Sequence, residues 1–206
     1  VWASTDTSYM LPVSLSFTSE ERTRLSQIMA NVNSCMYEYT TAFITGIKSF
    51  DNYEELLALK EIQAVYIASP VFCHKEQAFA AAKAKKHILL EKPMALSVAE
   101  SREIAEKCEK EGVKLGVGLM MRFHTYHQQM KQLIDEGKLG DIVSMRAQLT
   151  CWYPDIAGNW RQNKELSGGG ALMDMGIHCI DLLQYISGLK AKAVTGFAGT
   201  QTFGYN

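Results

Sequence analysis

The sequence lacks the long apolar runs of a membrane protein and the leader of a secreted one. Its apolar stretches extend over only a few residues, as at Ile88, Leu89 and Leu90, whereas a transmembrane helix needs about 20. Residues 1–7 contain no basic region followed by an apolar run, so no signal peptide is evident. We therefore expect no membrane association and a cytoplasmic location.

Cysteine is scarce and follows no pattern. The chain has five cysteines, an odd number, and none belongs to a Cys-x-x-Cys pair. They are Cys35, Cys73, Cys108, Cys151 and Cys179. Disulfide frameworks use even numbers of cysteines and structural zinc sites use closely spaced pairs. We expect reduced thiols that serve mainly for packing.

The chain also has no large excess of positive or negative charge. Lysine and arginine total 21 against 22 acidic residues, for a formal net charge of -1 over 206 residues. No segment concentrates basic residues, so a nucleic-acid partner is not expected. With 47% hydrophobic residues and only 4 prolines, the composition is that of a folded globular protein rather than a disordered one.

The first half of the chain alternates strand and helix patterns, which is typical of a parallel sheet covered by helices. Thr18 with Glu21 and Ser97 with Glu100 have the spacing of helix capping boxes. Strands are predicted at residues 13–17, 64–68, 87–90 and 113–119. Helices are predicted at residues 18–30, from a start near Asp51, and at residues 75–86 and 97–112.

After about residue 120 the pattern changes. Helices are predicted at residues 128–136 and 171–186, ended by Gly137 and Gly188, and strands at residues 142–150 and 191–201. We place a domain boundary near residues 119–122, which divides the chain into units 1–120 and 121–206.

Two turns at the ends of predicted strands carry reactive side chains. Glu91-Lys92-Pro93 follows one strand, and the carboxyl ends of parallel strands are where such sheets bind ligands. A lysine there can orient a substrate hydroxyl or take part in proton transfer; the alternative is an exposed lysine in a turn. Ser69-Pro70 and His74 follow the neighbouring strand, beside a helix N-terminus that can attract phosphate. A lone histidine at a helix start is more often a solvated cap.

The helix predicted after Gly168-Gly169-Gly170 contains Asp174 and His178, four residues apart and therefore on one helical face. A carboxylate beside an imidazole can accept a proton near neutral pH. Two alternatives stay open: half of a metal site, and a structural hydrogen-bonded pair. No third ligand is evident, because His124 and His127 belong to another helix start, so no metal is predicted.

Cationic and aromatic groups in the second half suit a sugar or nucleotide cleft. They are Arg122 at the predicted domain junction and the pairs Trp152-Tyr153 and Trp160-Arg161. We predict that Arg122 and Tyr153 contact the substrate.

Five strings in order are similar to one known family. VYIASPVFCH, KHILLEKPMALSVAE, GVGLMMRFH, NWRQ and GGGALMDMGIHCIDLLQYISG resemble the Gfo/Idh/MocA oxidoreductases, the glucose-fructose oxidoreductase and inositol dehydrogenase group, over roughly residues 51–206. The resemblance implies an α/β fold: an incomplete Rossmann-type parallel sheet, then an α+β domain with an open, mostly antiparallel sheet. It also implies an NAD(P)-dependent enzyme that moves a hydride between nicotinamide and a sugar or polyol.

The resemblance assigns roles to individual residues. Lys92, Asp174 and His178 would form the catalytic group, with His178 also touching the substrate. The matching cofactor-contacting positions are Ser69, Pro70, His74, Glu91 and Lys92. Trp160 and Arg161 resemble a pair that reaches the cofactor in the 1,5-anhydro-D-fructose reductase branch. A dimer or tetramer is also implied.

The family's first strand and glycine-rich G-x-G-x-x-G loop have no counterpart before Val13, so we expect a fragment of a longer enzyme. After the strand at residues 13–17, Thr18 and Arg22 suit a 2′-phosphate better than a free ribose hydroxyl, which favours NADP over NAD. Two other classes remain open: a non-catalytic sugar-binding or assembly protein without a complete cofactor site, and a metal-dependent hydrolase that uses Asp174 and His178.

Overall fold

The structure is a computed structural model, and it describes residue 50 and residues 52–199. Several predictions lie outside this part of the chain: the strand at residues 13–17, the helix at residues 18–30, and the roles of Thr18 and Arg22. The packing role of Cys35 lies outside it as well. The helix predicted from a start near Asp51 is observed at Tyr53–Ala58, with Asn52 as its N-cap.

A parallel sheet of three strands forms the centre of the first half. The strands are β1 (Ala64–Ile67), β2 (His87–Leu90) and β3 (Leu115–Val117), in the order β1-β2-β3. Val65 of β1 aligns with Ile88 of β2, and both side chains are buried. The strands predicted at residues 64–68, 87–90 and 113–119 therefore form, although β1 and β3 are shorter than expected.

Three helices accompany these strands: α1 (Tyr53–Ala58), α2 (Val71–Lys83) and α3 (Val98–Glu111). The capping residues explain the bounds of α3, because the Ser97 side chain accepts a hydrogen bond from the N–H of Glu100, and Gly112 ends the helix with φ of 70°. Helix α2 begins four residues before the predicted start. Pro70, with φ of −57°, occupies its N-cap position and leads directly into the first turn.

The hydrophobic core lies between the sheet and its helices. Small buried residues of α2, such as Ala78 and Ala82, allow this helix to pack closely on the strands, and Ile104 of α3 and Leu90 of β2 are fully buried beside it. This alternation of parallel strands and covering helices is the predicted α/β arrangement.

The regular elements in the second half of the described chain are all helices. Single turns of 3-10 helix at Met120–Phe123 and Trp160–Gln162 accompany α4 (Thr125–Asp135) and α5 (Lys164–Ser167). A π-helical turn at Leu172–Gly176 then leads into α6 (Ile177–Ser187). The two long helices occur where the sequence predicts them, but α4 starts three residues earlier than expected.

The strands predicted at residues 142–150 and 191–201 are wrong for the described residues, which form no strand beyond Val117. The exposed fractions of Val143 and Val194 are 95% and 92%. An alternating pattern becomes a strand only when a neighbouring strand pairs with it and one face is buried. None of the described residues forms a strand that pairs with either segment, so the predicted antiparallel sheet is not formed within this part of the chain.

Across the described residues, every helix is too short or too polar to span a bilayer.

Candidate active site

A cavity of about 210 Å³ opens at the carboxyl edge of the sheet. It lies where β1 and β2 end, which is the edge at which the sequence places its reactive turns. The 3-10 turn that contains Trp160 and Arg161 closes one side. Its lining residues are Tyr66, Ala68, Ser69, Val71, His74, Glu91, Lys92, Trp160 and Arg161.

The structure brings Lys92 and Asp174 together across this edge. The Nζ atom of Lys92 lies 2.7 Å from Oδ1 of Asp174 and 2.5 Å from its backbone oxygen. The Lys92 side chain is largely buried, and the Asp174 carboxylate is about one third exposed. An ammonium group held this way is fixed in position, and Asp174 retains a second oxygen for another partner.

The glycine run before the π-helical turn allows the second half to approach the sheet. Gly168 ends α5 with φ of 75°, and a Cβ atom there would lie 3.2 Å from Cδ2 of Leu96. A larger residue would therefore be both strained and crowded. This close approach to the segment after Pro93 places Asp174 within reach of Lys92.

His178 is buried at the start of α6, with an exposed fraction of 8%, and its Nδ1 atom has no hydrogen-bond partner among the described residues. Burial lowers the pKa of His178, and the positive charge of Lys92 lowers it further, against the opposite effect of nearby carboxylates. The lowered pKa favours the neutral ring, which can accept a proton. The sequence left open a structural hydrogen bond between Asp174 and His178. No such bond forms at Nδ1 of His178, and the Asp174 carboxylate binds Lys92.

Glu91 is held on two sides at the end of β2. The phenol of Tyr66 donates a hydrogen bond to Oε1, and the backbone N–H of Lys92 donates to Oε2 at 3.0 Å. Burial and the Glu91 carboxylate raise the pKa of Tyr66. Sequence reasoning missed Tyr66, although its position one residue before the end of β1 places it beside the other strand ends.

His74 lies beneath the cavity with an exposed fraction of 1%. Its Nδ1 atom is 3.0 Å from the oxygen of Pro93, and its Nε2 atom is 2.9 Å from the oxygen of Ser69. Both ring nitrogens therefore face backbone. The Ser69 hydroxyl donates to Oε1 of Gln77 at 2.6 Å. Direct contact of Ser69, Pro70 and His74 with a cofactor stays a prediction.

Trp160 and Arg161 border the cavity as a stacked pair. The guanidinium carbon of Arg161 lies 4.4 Å from the centroid of the Trp160 ring, and its Nε atom is 4.0 Å from Oδ2 of Asp174. The Trp160 ring also meets Phe72 edge-on. The pair thus presents an aromatic surface and a positive charge to the cavity, beside the Lys92–Asp174 pair.

The two predicted substrate contacts, Arg122 and Tyr153, do not line the cavity. Arg122 forms a two-point ion pair with Asp181, with Nε 2.8 Å from Oδ2 and Nη2 2.5 Å from Oδ1. The Tyr153 hydroxyl accepts a hydrogen bond from the side chain of Asn159 at 2.8 Å. In this structure both groups are engaged within the chain, and their contact with a substrate stays a prediction.

In the described part of the chain, no three His, Cys, Asp or Glu side chains cluster closely enough to bind a metal ion.

Two family models match most of the chain. Residues 17–119 match the model described as an oxidoreductase family with an NAD-binding Rossmann fold. Residues 127–205 match the model of the GFO/IDH/MocA C-terminal domain.

Curated relatives share about a third of the aligned residues. A 1,5-anhydro-D-fructose reductase from Ensifer adhaerens is 32% identical over 155 residues, covering 74% of this chain and 46% of the relative. A glucose-6-phosphate 3-dehydrogenase from Bacillus subtilis (strain 168) is 36% identical, covering 68% and 41%. The chain therefore spans less than half the length of these relatives.

A solved structure of similar fold carries both a cofactor and a sugar. The levoglucosan dehydrogenase complex with NADH and levoglucosan has a TM-score of 0.66 and 30% identity, over 76% of this chain and 43% of that one. The match extends the likeness from sequence to three-dimensional structure.

Proposed function

The chain belongs to the Gfo/Idh/MocA oxidoreductase family, and from that premise we propose that its protein transfers a hydride between a nicotinamide dinucleotide and a sugar or polyol. The observation that carries the proposal is the 2.7 Å ion pair of Lys92 with Asp174, which precedes His178 by four residues. Lys92 is supplied by the parallel sheet, and the other two by the second half of the chain. This pair and the neighbouring imidazole could orient a hydroxyl and exchange its proton near the edge where such sheets bind ligands.

The residues around the cavity fit one end of a dinucleotide. The cavity, at about 210 Å³, is smaller than the roughly 300–1,000 Å³ of pockets that enclose a whole ligand. Trp160 offers a surface for a planar ring, and Arg161 and the N-terminus of α2 favour negatively charged groups. When bound, the dinucleotide supplies the hydride acceptor or donor.

Side chains of the protein bind the substrate hydroxyl and accept its proton. In the direction of oxidation, the carbon loses hydrogen with its bonding electrons as hydride, the hydroxyl loses a proton, and a carbonyl forms. Lys92, held by Asp174, is placed to hydrogen-bond the substrate oxygen, and the neutral ring of His178 accepts the proton. Reduction reverses each step. An unpartnered buried nitrogen at His178 costs free energy, which supports a role beyond packing.

The test uses the full-length protein with NAD⁺, NADP⁺ and a panel of aldoses, anhydro sugars and polyols that carry deuterium on the carbinol carbon. We expect growth of reduced-nicotinamide absorbance and transfer of deuterium into the cofactor, detected by mass spectrometry. Cofactor binding is measured separately by nicotinamide fluorescence. Binding of neither cofactor, together with no transfer from any panel member, would overturn the proposal and favour the non-catalytic alternative.

The proposal also covers the cofactor preference, the location and the oligomeric state of the whole protein. We retain NADP over NAD because of Thr18 and Arg22, and a cytoplasmic homo-oligomer, dimer or tetramer, as the form of the whole protein. Free thiols at Cys108, Cys151 and Cys179 suit a reducing compartment. An Arg22→Ala variant should lose affinity for NADPH more than for NADH, and equal losses would contradict the NADP preference.

A further inference from the structure

The ring of His74 connects two turns that the sheet places side by side. One nitrogen faces the oxygen of Ser69, in the turn after β1, and the other faces the oxygen of Pro93, in the turn after β2. The ring is almost completely buried, so these contacts are shielded from water. His74 therefore bridges the two chain segments that form the floor of the cavity.

Hydrogen-bond chemistry makes this bridge specific to histidine. Carbonyl oxygens only accept, so each contact needs an N–H on the ring. A neutral ring carries one N–H and bonds one of the two carbonyls, and a doubly protonated ring bonds both. Phenylalanine preserves the flat ring and its packing but bonds neither carbonyl. Glutamine carries an amide nitrogen that can donate to one of the two carbonyls.

The bridge acts on the residue next to Lys92. Pro93 immediately follows Lys92, and its oxygen is the atom that His74 faces at 3.0 Å. On the other side, the N–H of Lys92 donates to Glu91, which is itself bonded by Tyr66. The backbone of Lys92 is thus fixed before and after its own α-carbon, which aims the side chain at Asp174.

We propose that His74 is a positioning residue for Lys92, which holds the Lys92–Pro93 turn so that the ammonium group meets Asp174. Its effect on catalysis rests on the proposed hydride-transfer function, but its effect on Lys92 does not. In this role His74 acts through Lys92 and not on the substrate.

The first test measures the position of Lys92 without any assay of activity. Brief reductive methylation with isotopically labelled formaldehyde, followed by mass spectrometry, gives the modification rate of each lysine in the full-length protein. In the His74→Phe variant we expect Lys92 to react severalfold faster, because its ion pair with Asp174 is loosened, while the rate at the exposed Lys138 stays unchanged. The His74→Gln variant should fall between His74→Phe and the unmodified sequence.

His87 provides a matched control. It lies at the opposite end of β2, and its Nδ1 atom accepts a backbone hydrogen bond from Lys114 at 3.1 Å. The His87→Phe variant removes a histidine-to-backbone bond from the same sheet but should leave the Lys92 rate unchanged. An equal acceleration in the His87 and His74 variants would overturn the proposal.

The second test is kinetic. In the His74→Phe variant kcat should fall about 10–100-fold, the loss expected when a reacting group is misplaced by about 1 Å, and the His74→Gln variant should recover part of kcat. An unchanged Lys92 modification rate in a folded His74→Phe protein would overturn the proposal. Unfolding of both His74 variants would also overturn it, because His74 would then serve overall stability.

If the unmodified protein transfers no hydride but Lys92 still becomes reactive in His74→Phe, the positioning role stands and the proposed function fails. If the unmodified protein is active but the Lys92 modification rate is unchanged in His74→Phe, the proposed function stands and the positioning role fails. The two proposals are therefore separable.

Discussion

The ammonium group of Lys92 and the carboxylate of Asp174 form an ion pair of 2.7 Å between the end of the parallel sheet and the π-helical turn. Lys92 lies at the end of β2 and Asp174 is 82 residues further along the chain. The pair therefore joins the two halves of the described chain at the edge of the cavity, where the proposed chemistry takes place.

Replacement of Lys92 should lower the rate of hydride transfer more than the affinity for the cofactor. We expect Lys92→Met to lower kcat by about 10²–10⁴-fold, the usual contribution of a positioned proton-transfer group, with a smaller loss in cofactor affinity, because the Lys92 ammonium is directed at Asp174. Steady-state kinetics and fluorescence titration measure the two. The control is Lys75→Met, which removes an ion pair with Glu103 on the outer helices; the same kcat loss there would contradict the assignment.

The pKa of His178 should rise when Lys92 loses its charge. Burial lowers this pKa first and the charge of Lys92 lowers it further, so Lys92→Met removes the second effect and leaves the first. NMR titration of ¹³C-labelled histidine rings measures the change without an activity assay. A fall in the His178 pKa in this variant would contradict the charge interaction.

The same group makes stability depend on pH. Because folding lowers the pKa of His178, the unfolded chain binds more protons between the folded pKa and the ordinary value near 6.5. The contribution of the neutral His178 to the free energy of unfolding is fully present above that ordinary pKa, and it is lost as the pH falls toward the folded pKa. Denaturant unfolding from about pH 7 to 5 should show a smaller acid loss for His178→Gln than for the unmodified sequence; equal losses would exclude His178 as a cause.

The pair of Arg122 and Asp181 should stabilise the second half more than a surface pair does. Asp181 is buried and Arg122 is partly exposed, so Arg122→Met leaves a buried carboxylate unpaired at a cost of about 1–3 kcal/mol. Lys138→Met, which removes an exposed pair with Glu136, should cost about 0–1 kcal/mol. Denaturant unfolding measures both, and equal costs would show that burial of Asp181 does not matter.

A methyl group at Gly118 should disturb the cavity, whereas one at Gly116 should not. A Cβ at Gly118 would lie 3.2 Å from the Glu91 carboxylate, which Tyr66 and the Lys92 N–H hold in place. At Gly116 the nearest atom is Cδ1 of Leu89 at 3.6 Å, an ordinary contact. We expect Gly118→Ala to cost about 1–3 kcal/mol in unfolding free energy.

Gly116→Ala is the matched control, since it adds the same methyl group to the neighbouring glycine of this segment. Thermal unfolding of both variants makes the comparison. A Tm for Gly118→Ala equal to or above that of Gly116→Ala would show that the Glu91 carboxylate moves aside without cost.

The parts of the fold that depend on local signals were predictable. The apolar runs at Ala64–Ile67 and His87–Leu90 form strands, and Ser97 and Gly112 bound α3 as their side-chain and backbone preferences require. Each of these signals lies within a few residues of the feature that it determines.

Features that depend on distant partners were not predictable in the same way. The alternation at residues 142–150 suggests a strand, but no described residue pairs with it. The hydrogen bond of Tyr66 to Glu91 and the contact of His74 with Pro93 link positions 25 and 19 residues apart. Sequence position identified His74 as a candidate site residue, but it gave no sign that both ring nitrogens face backbone oxygens.

In the π-helical turn at Leu172–Gly176, the direction of the Asp174 side chain depends on how many residues the turn contains rather than on which residues they are. A π turn takes one more residue than an α turn, and each residue of an α-helix rotates the next by about 100°. Deletion of one residue from this segment would let the helix close into regular turns and rotate Asp174 relative to His178. Insertions and deletions are therefore less tolerable here than substitutions, and helix length becomes a diagnostic trait of a competent site.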